Sequence, residues 1–407
     1  MDLFSEEFRD NPYPGYARLR EQSPVHKADG PMGVEVWLIT RYEEARAALN
    51  DQRLSKDPRN APAWMRDLGL VTDDGGRVGL NMLSSDPPTH TRLRKLVSKA
   101  FTRRRIDDLR PRVQEITDTL IDAMPVAEVD LIAALAFPLP IIVICELLGV
   151  PAQDRDSFRV WSQALTAPPL TPDGLQAMRQ ARQDIGGYLT DLIARRRSQT
   201  ESALGIDDQP DLVSALVAAA DEHDRLSEQE LLGTLQLLLV AGHETTVNLI
   251  GNGILALLSH PDQLALLRAQ PELLPGAVDE LLRYDGPVER ATPRYATEDI
   301  DVGETTIPAG SVVSIALASA DRDPDHTQAA NELDITRTGH GNVAFGHGIH
   351  YCLGAPLARI EAQIAIGTLL HRFPDLALAR PLEELHWKYG GPADIFRGLE
   401  TLPLKLR

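Results

Sequence analysis

Hydrophobic positions along the chain recur first with a period of two and then, over most of its length, with a period near 3.6. Residues 34–41, VEVWLITR, alternate like a strand, and YEEARAAL after them has helical spacing, so the chain opens as mixed α and β. From about 86 to 260 the signals are helical. Residues 60–85, rich in Pro, Gly, Asp and Asn, read as a long irregular segment, and TAPPLTPDGL at 165–174 separates two helical runs; both are candidate lids. Ser227 and Glu230 form a capping box. It opens the run LLGTLQLLLVAGHETTVNLIGNGILALLSH, which reaches His260 before Pro261 ends it. At over 30 residues, and apolar around most of its girth, this helix is expected to pass through the middle of the protein. Residues 288–316 alternate as short strands with turns at Asp301-Val302-Gly303 and Pro308-Ala309-Gly310, and a final helix is predicted from about 354 to 372. With no internal repeat or low-complexity tract, residues 1–407 read as one mainly α domain with a small β region.

Composition and charge narrow the partners. The chain is 43% hydrophobic and 25% charged, enough apolar material for a large core around a ligand. A formal net charge of −18 repels phosphate, which argues against nucleic acid or an anionic membrane surface and for a small molecule or a basic protein patch. Two cysteines, Cys145 and Cys352, support neither a disulfide framework nor a four-cysteine iron–sulfur cluster and suit a reducing cytoplasm. The opening residues MDLFSEEFRDNP lack the basic and apolar regions of a signal peptide. The apolar stretch Leu131 to Leu148 is interrupted by Pro138 and Pro140, and no run reaches the roughly 18 apolar residues a membrane span needs. A cytoplasmic protein, monomeric and without a membrane partner, is expected.

Chemistry concentrates in two places. The segment FGHGIHYCLG, Phe345 to Gly354, places Cys352 in a Gly-rich loop directly before the last predicted helix, where the helix dipole and nearby N–H groups favour the thiolate. Most lone cysteines are small buried hydrophobes, but Gly346, Gly348 and Gly354 permit unusual backbone angles and close approach to something flat or bulky. A zinc set of His347, His350 and Cys352 packs three ligands into six residues and does not match structural-site spacing. In the long helix, AGHETT sets Gly242, Glu244, Thr245 and Thr246 in an otherwise apolar run. A buried carboxylate is costly unless it is used or satisfied, while threonines also serve to bond back one turn and bend a helix. A metalloprotease helix would need His where Val247 stands.

The pattern Phe345, Gly348, Cys352, Gly354 resembles the haem-binding signature of cytochrome P450 enzymes. That resemblance implies haem b (iron protoporphyrin IX) with Cys352 as its axial thiolate, a ligand that favours O–O cleavage. It implies the triangular-prism fold, with haem between the long helix and the Cys352 helix. Glu244 and Thr245 take the positions of the family's acid–alcohol pair, and Ala241, Gly242, Phe345 and Gly346 fall among its haem-lining positions. Glu280 and Arg283 look like its ExxR pair, completed by Arg337; this group is scaffold rather than catalyst. His90, Arg94, Arg294 and His350 match positions that bind the haem propionates in similar bacterial enzymes.

The implied reaction inserts one atom of O2 into a C–H bond or a double bond. AGHETTVNLIGNG and FGHGIHYCLGAPLAR look most like the branch that includes macrolide-tailoring hydroxylases, so a polyketide or other bulky lipophilic molecule is the expected substrate. The alternatives on this scaffold are oxidative coupling, broad catabolic oxidation and a haem sensor without turnover. Because the chain carries no flavin or iron–sulfur module, electrons are expected from a ferredoxin and an NAD(P)H-dependent reductase. Arg92, Arg94, Lys95, Lys99, Arg103, Arg104 and Arg105 are its candidate docking patch. Two departures from the pattern bear on the loop before Cys352: Asp321 stands where related enzymes usually have Asn, and HTQAANELDI replaces an aromatic-rich segment.

Overall fold

A computed structural model describes the chain apart from residues 1–2, 4, 30–34, 68–70, 72–78, 126, 167–171, 200–203, 222–225, 340, 389–394 and 407. Its contacts divide it into two compact units: Met1–Leu54, Pro111–Leu139 and Thr245–Arg407 form the first, Ser55–Arg110 and Pro140–Glu244 the second.

The first unit carries the predicted β region. Val25–Asp29 pairs antiparallel with Glu35–Ile39, which runs parallel to Val312–Ile315 with Trp37 opposite Val313. Arg294–Ala296 pairs with the other edge of Val312–Ile315, and Leu54–Ser55 ends the five-stranded order. Two strands of residues 288–316, Arg294–Ala296 and Val312–Ile315, thus share a sheet with the early strands, while Ile300–Val302 and Thr305–Ile307 pair as a separate two-stranded sheet. The apolar face of the helix Tyr42–Asn50, through Ala45, Ala48 and Leu49, joins Ile39, Ile307, Val313 and Ile315 in a buried cluster. Periodicity missed a three-stranded sheet of Glu128–Asp130, Pro403–Lys405 and Ala377–Leu378, because strands this short complete barely one alternation.

The second unit is helical. Arg155–Thr166 packs on Pro172–Gln199, and Thr89–Ala100 on Leu212–Asp221. Phe158, fully buried, meets the Trp161 and Tyr188 rings edge-on at 5.3 and 4.9 Å. Pro138 and Pro140 fall where the apolar run divides, after the π-helix Ile132–Ala136 ends. They sit in the first turn of the helix Pro138–Leu148, where a missing N–H leaves no helical bond unmade. Part of the 60–85 segment is regular: Ala63–Asp67 is helical and Met82–Ser84 is a 3-10 turn capped by Asn81. Residues 68–70 and 72–78 of that candidate lid, and the centre of the other, 167–171, lie outside the described residues.

The long helix is Glu228–Ser259 and contributes to both units. Its capping box is formed: the Glu230 N–H donates to Ser227 Oγ at 3.2 Å, and the Ser227 N–H donates to Glu230 Oε2 at 2.9 Å. No helix among the described residues is long and apolar enough to cross a membrane.

Candidate functional site

Backbone geometry creates the Cys352 turn. Gly346 and Gly348 hold φ of 74° and 73°, a region closed to most side chains. This folds residues 343–352 so that the Gly346 N–H donates to Val343 O at 2.7 Å and the Cys352 N–H to Phe345 O at 2.9 Å. A Cβ on Gly348 would lie 2.6 Å from Asn50 Oδ1 and 3.2 Å from Leu49 O, so the turn rests against the Tyr42–Asn50 helix. Cys352 is exposed, immediately before the helix Ala355–Arg372, with Ile349 and Tyr351 exposed beside it. A Cβ on Gly346 would meet nothing nearer than His350 O at 4.0 Å, and one on Gly354 nothing nearer than Cys352 Sγ at 3.9 Å. An exposed sulfur on an open, glycine-faced turn fits a flat macrocycle bound through its metal. Among the described residues, no group of three or more His, Cys, Asp or Glu side chains could hold a metal by itself.

The loop before this turn hangs on the ExxR pair. Glu280 and Arg283 are buried and bidentate, at 2.7 and 2.8 Å, rather than a solvated surface pair. Arg337 does complete the group, 3.2 Å from Glu280 Oε2. Arg283 also donates to the carbonyls of Asp321, Ala330 and Glu332, and Glu280 Oε1 accepts the Asp334 N–H. The charges and their surplus hydrogen bonds therefore fix the irregular backbone between residues 321 and 337. Asp321 extends the device. Its carboxylate accepts the Val343 N–H at 2.7 Å, and complete burial pushes its pKa up to about 8.

The long helix is buried over residues 233–239 and 246–254 but opens between them: Ala241 is exposed, and Gly242 and Thr245 are half-buried. Glu244 is buried, 3.8 Å from the ring of the fully buried His243. One face of an otherwise enclosed helix thus offers a gap with a hydroxyl on it, and a carboxylate lies next in sequence.

Of the proposed propionate ligands, the second unit carries His90, buried, and Arg94, half-buried, one turn apart on Thr89–Ala100. The first unit carries Arg294 and the half-buried His350, on the 3-10 turn Gly348–His350 that leads to Cys352. Arg294 is buried, and its guanidinium donates to Leu49 O at 3.1 Å and Leu54 O at 3.4 Å. The basic patch is less free than its sequence implies. Arg92 pairs with Glu230, Arg105 donates to Ile206 O, and the exposed Arg103 and Arg104 have Asp107 and Asp108 one turn on, at 3.5 and 3.9 Å.

Three features gave no usable signal in the sequence. Arg359 lies 4.6 Å over the Phe345 ring and pairs with Asp279 at 2.8 Å, which orients the first residue of the Cys352 segment. His243 meets Ser162 on a different helix, and Glu361, on the Cys352 helix, is buried with no partner for Oε2, so desolvation raises its pKa. The Arg359–Asp279 and Ser162–His243 contacts join residues 80 and 81 positions apart, which leave no periodic trace.

Comparison with known proteins gives a consistent result. A family model described as Cytochrome P450 matches residues 157–378. Cytochrome P450 monooxygenase PikC of Streptomyces venezuelae is 52% identical over 411 residues, covering 100% of this chain and 94% of its own. A vitamin D(3) 25-hydroxylase of Pseudonocardia autotrophica is 48% identical, covering 100% of this chain and 96% of its own. The solved structure of the tirandamycin C-bound P450 monooxygenase TamI superposes with a TM-score of 0.88 at 46% identity, covering 99% of each chain.

Proposed function

The chain belongs to the cytochrome P450 family, whose cofactor is haem b, and on that premise we propose that Cys352 would hold the haem iron through its thiolate in a monooxygenase acting on a bulky lipophilic molecule. The exposed sulfur on its open, glycine-built turn carries the reading. When bound, haem supplies dioxygen activation. The chain's own residues hold it and manage protons and water. Phe345, Gly346, Ala241 and Gly242 would line the cofactor, and His90, Arg94, Arg294 and His350 would neutralise its propionates, with residues 1–407 acting as one domain. Thr245 supplies a hydroxyl that orients water, and Glu244 is the acid that passes protons to it.

A polyketide or macrolide-type secondary metabolite is the proposed substrate. The motif resemblance supports it, and relatives named for vitamin D(3) and tirandamycin C support the bulky lipophilic class. Electrons come from a separate ferredoxin and NAD(P)H-dependent reductase, serving a monomeric cytoplasmic enzyme. Arg103 and Arg104, both exposed, are the proposed docking cations.

The test pairs two measurements. The reduced holoprotein with CO gives the red-shifted Soret band of a thiolate ligand, and a lipophilic metabolite that shifts the resting spectrum is oxidised with matched oxygen uptake. Thr245→Ala is expected to keep haem and substrate binding while diverting reducing equivalents to hydrogen peroxide, and Glu244→Ala to slow turnover. Full coupling and rate in both variants would remove this pair from the mechanism.

A further inference from the structure

His243 is fully buried, yet it is a polar residue on an apolar helix, and both ring nitrogens are engaged. Nδ1 lies 3.1 Å from Leu239 O on its own helix, and Ser162 Oγ, from Arg155–Thr166, lies 2.9 Å from Nε2 and 3.3 Å from Nδ1. A carbonyl can only accept, so the Leu239 contact places the hydrogen on Nδ1 of the neutral ring. Nε2 then accepts from the Ser162 hydroxyl. The same nitrogen is 3.8 Å from Glu244 Oε2. A ring pinned from two helices therefore forms one wall of the acid's surroundings, and any proton it takes at Nε2 appears beside that carboxylate, where low dielectric strengthens the attraction.

We infer that His243, oriented by Ser162, is a positioning residue that holds the Glu244 carboxyl in its working direction and sets its hydrogen bonding. This rests on the proposed role of Glu244 in proton delivery. The competing account is a core histidine satisfied by its neighbours, with no consequence for the acid.

The experiment uses the holoenzyme and two readouts. The first is the Glu244 carboxyl stretch, assigned as the band lost in Glu244→Gln, in the infrared difference spectrum recorded as CO is photolysed from the reduced protein. The second is the solvent deuterium isotope effect on substrate oxidation. His243→Phe is expected to shift the band and raise the isotope effect by about twofold, because proton transfer through a disordered acid becomes more rate-limiting. Ser162→Ala, which keeps the ring and its Leu239 bond, is expected to move both in the same direction by less, and it decides the matter if His243→Phe does not fold. If both variants fold with the thiolate CO spectrum and leave band and isotope effect unmoved, while Glu244→Gln slows turnover, the inference is overturned and the acid keeps its role. If Glu244→Gln leaves rate and isotope effect untouched, the proton-delivery reading falls and the inference with it.

Discussion

Cys145 and Cys352 are the same side chain in opposite surroundings. Cys145 lies within the regular helix Pro138–Leu148 with no solvent exposure, and burial pushes its thiol up to about 12. At pH 8 a group of that pKa is ionised in about one molecule in ten thousand, and a buried thiol of this kind is inert packing. Cys352 is exposed on irregular backbone that two glycines, a buried ion-pair group and a neighbouring helix hold in place. The residue type does not decide reactivity. What decides it is whether the fold packs the sulfur inside a regular helix or presents it on a rigid, glycine-built turn.

The largest effect expected from this contrast is all-or-none. Cys352→Ala abolishes the thiolate CO spectrum and Cys145→Ala preserves it; the reverse outcome breaks the comparison at its root. A second test addresses the support under Cys352. Asp321 has its pKa raised from 3.8 to about 8, so its burial favours the fold fully below pH 3.8 and loses that benefit as pH rises through about 8. Asp321→Asn keeps an acceptor for the Val343 N–H without the charge. It is expected to flatten the stability profile over that range and to exceed the parent at pH 9 by on the order of a few kcal/mol, read by denaturant melts.

Gly348→Ala is expected to cost about 1–2 kcal/mol through its left-handed backbone alone. The contact of its new Cβ with Asn50 adds to this, and faster haem loss should accompany it. Gly187→Ala, with nothing within 4 Å of the added carbon in the helix Pro172–Gln199, is the control expected to leave both unchanged or improved. The smallest effect is alkaline. Cys145 has its pKa raised from 9.0, so its contribution is present below pH 9 and declines toward pH 12. Cys145→Ala should soften that decline, checked by melting temperature across the same range.

Much of this contrast is written in the chain. The pattern of Gly around Cys352, the AGHETT break in a long apolar helix and the period-two runs at 34–41 and 288–316 are local signals. Each follows from covalent geometry: glycine alone enters the left-handed region freely, and side-chain direction repeats with the backbone. Those signals determined the mainly α class, the long helix and the strands at 35–39 and within 288–316. Tertiary structure alone decided that a new helix starts at Pro138, and that Glu280 and Arg283 are buried. It alone joined Ser162 to His243 and Arg359 to Phe345, and it committed several basic side chains of residues 92–105 to acidic or carbonyl partners. The physical reason is common to all of these. Burial and pairing depend on which distant surfaces meet, and a contact between residues remote in sequence constrains neither of its neighbourhoods in a way that periodicity records.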